Sequence, residues 1–96
     1  MMPNFEALFG IPHHHRLVLI RSRARGGQVR GVYWSHQEVN PSGAVMAVYE
    51  SYDEVDAQGQ AQRGWRKYDA LGSLEDVQTL SSSWPAPSRS QPRFAA

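Results

Sequence analysis

Cysteine is absent from the 96 residues, so neither a disulfide framework nor a thiolate metal site can form. Also missing is any apolar run approaching the ~20 residues that a membrane-spanning helix needs. Residues 1–10 contain acidic Glu6 and lack both a basic start and an apolar stretch, so they do not read as a secretory signal. The expected setting is the bacterial cytoplasm. No charge of one sign dominates, with 10 Lys and Arg against 9 Asp and Glu. That balance gives no global reason to invoke nucleic acid or an anionic membrane. Glycine-rich phosphate loops, nucleophile motifs and convincing metal-ligand spacings are missing too. The chain is therefore expected to be non-enzymatic, with no catalytic residue, no cofactor and no metal.

What is present is one short phrase used three times: Asn40-Pro41-Ser42-Gly43, Asp56-Ala57-Gln58-Gly59 and Asp69-Ala70-Leu71-Gly72. Each follows a β-former and places Asn or Asp, two turn residues and Gly in order. This is the pattern of a hairpin in which a type I turn hands over to a left-handed glycine. Gly43, Gly59 and Gly72 are expected to take positive φ, which glycine alone adopts without a steric cost. Around these turns lie apolar and aromatic runs that read as strands over residues 16–24, 28–39, 44–55, 60–68 and 73–79. The expected fold is all-β with one short N-terminal helix. Its five-stranded antiparallel meander is a strongly curved sheet or half-barrel over residues 1–80, followed by a Pro/Ser-rich tail over residues 81–96.

The third turn carries a resemblance. Gly64-Trp65-Arg66-Lys67-Tyr68-Asp69-Ala70-Leu71-Gly72-Ser73-Leu74 resembles one tyrosine–aspartate (YD) repeat, the β-hairpin unit of large bacterial Rhs-type shell proteins. The likeness covers residues 64–74, and the two earlier copies have Val where that family has Tyr. It implies shared hairpin chemistry. A shell requires many such repeats, more than 96 residues can supply.

At the N-terminus, Pro3 suits a first helical position, and Phe5, Leu8 and Phe9 form one apolar stripe ended by Gly10 and Pro12. One or two turns of helix are unstable alone, so the stripe must dock on something apolar. His13, His14 and His15 follow. Neighbours in an extended segment point to opposite sides, so this cluster reads as a polar loop rather than a zinc site. In the tail, Trp84 and Phe94 are the large apolar residues through which docking would run.

If each Asn or Asp pairs with the residue after its Gly, five opposite-charge pairs follow: Arg30–Glu54, Asp53–Arg63, Glu50–Arg66, Arg66–Asp76 and Lys67–Glu75. Each is worth ~0.2–1 kcal/mol, and a one-residue slip would lose the set. The same register places Leu17, Leu19, Tyr33, Val45, Ala47, Tyr49 and Trp65 on one face. It places Val18, Ile20, Val32, Trp34, Met46, Val48 and Tyr52 on the other. Two apolar faces need two lids, and one helix is at most one of them. A homodimer joined through Trp34, Met46 and Val48 is the expected solution.

Nothing in the residues names a partner. The leading reading is a homo-oligomeric protein-interaction or binding module. A second is a binder of single-stranded nucleic acid or RNA that uses aromatics, Tyr33 and Trp34 among them, with Arg21, Arg23 and Arg25. The acidic partners derived above count against it. A third is a small-ligand pocket or enzyme around Trp34, His36 and Tyr52, with His36 and Glu38 as an acid–base pair.

Overall fold

Three turns of identical construction reverse the chain. Asn40, Asp56 and Asp69 each donate their N–H across the turn, to Ala44, Gln60 and Ser73 carbonyls, at 3.0, 3.0 and 2.8 Å. Each carbonyl in turn accepts from the glycine N–H three residues on. The side-chain Oδ1 of each then accepts from the N–H groups two and four residues ahead, at 2.9–3.0 Å. Four backbone donors of each turn, on its first, third, fourth and fifth residues, are thus satisfied within the turn itself. Gly43, Gly59 and Gly72 have φ of 89°, 82° and 92°, as expected.

The computed structural model describes residues 4–80; Pro3 and the tail with Trp84 and Phe94 lie outside the described residues. The elements are helix α1 (Phe5–Phe9) and strands β1 (Arg16–Arg25), β2 (Arg30–Val39), β3 (Val45–Val55), β4 (Ala61–Asp69) and β5 (Leu74–Leu80), and the three turns join β2 through β5. The sheet is an antiparallel meander in the order β1-β2-β3-β4-β5, open at both edges and somewhat curved. No helix among the described residues is long and apolar enough to cross a membrane.

Register departs from expectation at three bulges. Ile20 in β1, Met46 in β3 and Glu75 in β5 are each skipped by the neighbouring strand. A bulge adds one residue to one strand, bends it and shifts every pairing beyond it by one. The β3–β4 hairpin has no bulge, and there the expected pairs hold: Asp53 lies across from Arg63 and Glu50 across from Arg66. Arg63 Nε stands 3.1 Å from Asp53 Oδ1. In the bulged hairpins the expectation fails. Glu54 faces Gly31 rather than Arg30, and Arg66 faces Val77 rather than Asp76. Lys67 faces Asp76, yet its Nζ still reaches Glu75 at 3.7 Å.

The Met46 bulge also re-sorts β2. Trp34, His36 and Glu38 share a face with Ser51, Tyr49 and Ala47, whereas Tyr33 joins Tyr52 on the opposite face. The expected two-faced distribution is therefore corrected for Tyr33, Trp34 and Val32. Helix α1 covers the first face. Asn4 caps it by accepting from Ala7 N–H at 3.2 Å, and Gly10 closes it at φ 66°. Phe5 meets Trp34 edge-on at 5.0 Å and His36 at 4.6 Å, while Phe9 stacks on Tyr49 at 4.1 Å and 7°. Phe5, Trp34, Ala47 and Tyr49 are buried there, and Val39 is buried at the end of β2. Burying a side chain of this size stabilises by roughly 1.5–3 kcal/mol, which is how a five-residue helix persists.

The opposite face is polar at its centre rather than apolar. The expected patch of Trp34, Met46 and Val48 is divided, with Trp34 and Val48 on opposite faces of the sheet. Trp34 is beneath Phe5, while Val48 shares the far face with Gln37 and Tyr68.

Candidate functional site

Register builds the far face in rows that cross the sheet. One row runs Arg23, Tyr33, Tyr52, Gly64 and Thr79 from β1 to β5. The row beside it runs Arg21, Ser35, Glu50, Arg66 and Val77. On the other side lie Arg25, Gly31, Glu54 and Gln62. Four arginines and two glutamates thus surround two tyrosines that are direct cross-strand partners.

Two strand glycines decide how those tyrosines lie. A Cβ on Gly64 would stand 2.7 Å from the Tyr52 hydroxyl, and one on Gly31 would stand 3.2 Å from the Tyr33 hydroxyl. Each ring therefore leans over a position that lacks a side chain and rests on the sheet, as aromatics do when they cover strand glycines. Tyr33 donates its hydroxyl to Glu54 Oε2. That bond, helped by partial desolvation, raises the tyrosine pKa above its ordinary value, and nearby Arg25 pulls the other way. Arg23 lies over the Tyr33 ring at 5.4 Å and Arg66 over Tyr52 at 5.7 Å. A cation–π contact leaves guanidinium N–H donors available to other partners. Among the described residues none of Arg21, Arg23, Arg25 and Arg66 makes an ion pair. The result is an open groove of about 490 Å³ lined by Arg21, Arg23, Tyr33, Glu50, Tyr52 and Arg66, with Ser35, Glu54 and Gln62 beside them and Trp34 and Ser51 also at its wall.

No protein-family model, curated protein or solved structure matches this chain. The groove's chemistry must be read from its residues alone.

The helix-covered face holds a different polar group. Glu38 is 6% exposed and accepts from Tyr49 OH at 2.8 Å, and His15 Nδ1 lies 2.5 Å from its other oxygen. Burial, then the bond to Glu38, pushes the Tyr49 hydroxyl pKa well up. A buried carboxylate is tolerable when both oxygens are engaged in this way. His15 thereby ties the connection after α1 to the sheet, whereas His13 and His14 are exposed, so the three histidines do not act together. His36 is buried between Phe5 and Tyr49, and desolvation lowers its pKa. Its Nδ1 has no hydrogen-bond partner. No cluster of metal-ligating side chains occurs among the described residues.

The structure thus brings together Arg21, Arg23, Arg25, Tyr33 and Tyr52, and separates them from the Trp34 indole and His36. The pocket expected from Trp34, His36 and Tyr52 is not assembled, because the Met46 bulge puts Tyr52 on the far side of the sheet. Reasoning from sequence counts Arg66 among the basic residues of the sheet but misses Glu50, Ser35, Glu54 and Gln62 as site residues. Arg66 and Glu50 had been matched to each other as register-setting charges, and they are indeed partners in Cα register. Side-chain geometry separates them, since Arg66 turns to Tyr52. The signal in the sequence was Gly31 and Gly64, two glycines inside otherwise β-favouring runs.

Proposed function

We propose that this chain is a small non-enzymatic binding module that holds single-stranded nucleic acid across the face of Tyr33 and Tyr52. The observation that carries the reading is the row Arg23–Tyr33–Tyr52 with Arg21 and Arg66 beside it, its arginines free of carboxylate partners. Guanidinium groups suit phosphate oxygens, and the two tyrosine rings can take unpaired bases as Arg23 and Arg66 leave the rings for phosphate. A duplex buries its bases and is read by an element that enters a groove. This face has no projecting helix or ribbon, so single strands fit it better. The glutamates and the near-neutral total make the affinity modest and the electrostatic share small.

Fluorescence anisotropy with labelled oligonucleotides of about eight nucleotides tests this, using DNA, RNA and the matching duplex. At about 50 and 200 mM salt, the single strands should bind with a logarithmic salt slope of roughly −2 to −3, as three or four phosphate contacts give. Arg23→Ala and Arg66→Ala should each weaken binding and flatten that slope. No saturable binding at about 100 µM protein, or equal binding of the duplex, would sink the proposal.

A further inference from the structure

Glu50 is out of place on a phosphate-binding face, since a carboxylate repels the very groups that the arginines attract. Its Cα partner is Arg66, yet Arg66 spends its guanidinium on the Tyr52 ring and makes no ion pair with it. Among the described residues, the one side-chain hydrogen bond to Glu50 is a long 3.4 Å approach from Tyr68 OH. Glu54 differs, because its carboxylate already takes the Tyr33 hydroxyl and holds that ring in place. An exposed, acceptor-only group with two oxygens therefore lies open in the groove, between Ser35 and Arg66 and next to the Tyr52 platform.

We infer that Glu50 makes this groove selective for guanine in a single strand, an inference that rests on the nucleic-acid reading above. Of the four bases, guanine alone presents two adjacent donors, N1–H and the N2 amino group, on its Watson–Crick edge. A carboxylate can accept both at once. Adenine, cytosine and uracil each place an acceptor beside their donor, which would face the second oxygen of Glu50 and repel it. A base that stacks on Tyr52 displaces the Arg66 guanidinium from the ring and lies in the row next to Glu50, and Arg66 and Arg21, which share the Glu50 row, then take the neighbouring phosphates. The carboxylate is then set against a base edge and not against the backbone, which is where sequence is read.

The test uses labelled oligouridine of about eight nucleotides carrying one central guanosine, inosine, adenosine or no substitution. Inosine keeps N1–H and lacks the N2 amino group. Wild-type protein should bind the guanosine strand about tenfold tighter than the inosine strand, the discrimination that one good bidentate pair supplies. Glu50→Gln should abolish that difference and bind plain oligouridine as well as wild type or better, because a repulsive charge is gone. Glu50 is exposed, so the variant should keep the wild-type melting curve. Equal wild-type affinity for all four strands would overturn the guanine inference and leave the nucleic-acid reading standing. A guanosine preference that survives in Glu50→Gln would overturn it too. Failure to bind any strand would overturn both.

Discussion

Gly64→Ala adds one methyl group at the point where two strands and a tyrosine converge. The new Cβ would stand 2.3 Å from the Gln78 carbonyl oxygen, 2.7 Å from the Tyr52 hydroxyl and 3.1 Å from Tyr52 Cζ. The ring can swing outward, because its tip faces the open groove. The carbonyl cannot, since it is part of the β5 backbone and Gln78 is the partner of Trp65 in the ladder. Strand β5 must therefore move off β4, and the edge of the sheet loosens. Overpacking of this kind costs typically ~1–3 kcal/mol, and the contact with backbone puts this case at the upper end. For a domain of this length, ~2–3 kcal/mol lowers the melting temperature by roughly 10–20 °C. Circular dichroism melts would show it, and the urea midpoint should fall at unchanged m. Adding Tyr52→Ala should recover only the smaller part of the loss, because the backbone contact remains. Gly43→Ala is the comparison: its Cβ meets nothing within 4 Å, and only the φ of 89° is strained, so it should cost ~1 kcal/mol. A Gly64→Ala protein melting within about 2 °C of wild type would refute the close approach on which the groove's floor depends.

Phe9→Ala removes the ring that stacks on Tyr49 and touches Trp65 and His36; it should destabilise by about 2–3 kcal/mol in urea titration and promote aggregation. An unchanged midpoint with clean monodispersity would mean that the helix stripe serves a partner instead. His36 has its pKa lowered from the ordinary 6.5 by burial. The unfolded chain therefore takes up a proton first, and stability should fall as the pH drops below 6.5. Melting curves across that range should show the loss in wild type and less of it in His36→Phe; equal pH dependence in both would refute the assignment.

The parts of this fold that were legible in sequence are those that local chemistry decides alone. Asn40, Asp56 and Asp69 carry their own hydrogen-bond acceptor, and Gly43, Gly59 and Gly72 their own permissive backbone. Three turns and the order of the four strands they join, β2 to β5, followed from that; β1 followed from the Gly26-Gly27 turn. The α1 stripe was legible for a similar reason, since Phe5, Leu8 and Phe9 repeat at helical spacing within five residues. What escaped was the choice of face. Side-chain direction in a strand alternates, so one inserted residue reverses everything beyond it, and β2 contains aromatics at both Tyr33 and Trp34. Neither parity looks wrong until the partner strand is known. The groove inherited that ambiguity: its basic residues were visible, but their company was not.

Met46 shows which force settled the ambiguity. The Asn40 turn sets Val39 opposite Val45, and a regular ladder from there would place Trp34 on the side away from α1. Burial demands the opposite. Trp34, His36 and Tyr49 must lie together beneath Phe5 and Phe9, and their combined burial is worth several kcal/mol. Losing one rung of the ladder costs only about 0.5–1.5 kcal/mol. The sheet therefore keeps both the turn and the core, and expels Met46 as a bulge between Val45 and Ala47, where it is exposed. Deleting Met46 should then be tolerated, because Val39–Val45 and Glu38–Ala47 become consecutive rungs and no face changes. The expected result is a melting temperature within several degrees of wild type and an unaltered cross-strand contact between Tyr33 and Tyr52 in nuclear Overhauser spectra. Substituting Met46 with Ala should also be mild, since the side chain is exposed and gives up a 3.4 Å hydrogen bond from the Asn40 amide. Loss of the Tyr33–Tyr52 contact on deletion, or unfolding, would show that the bulge itself holds the register and that aromatic burial does not.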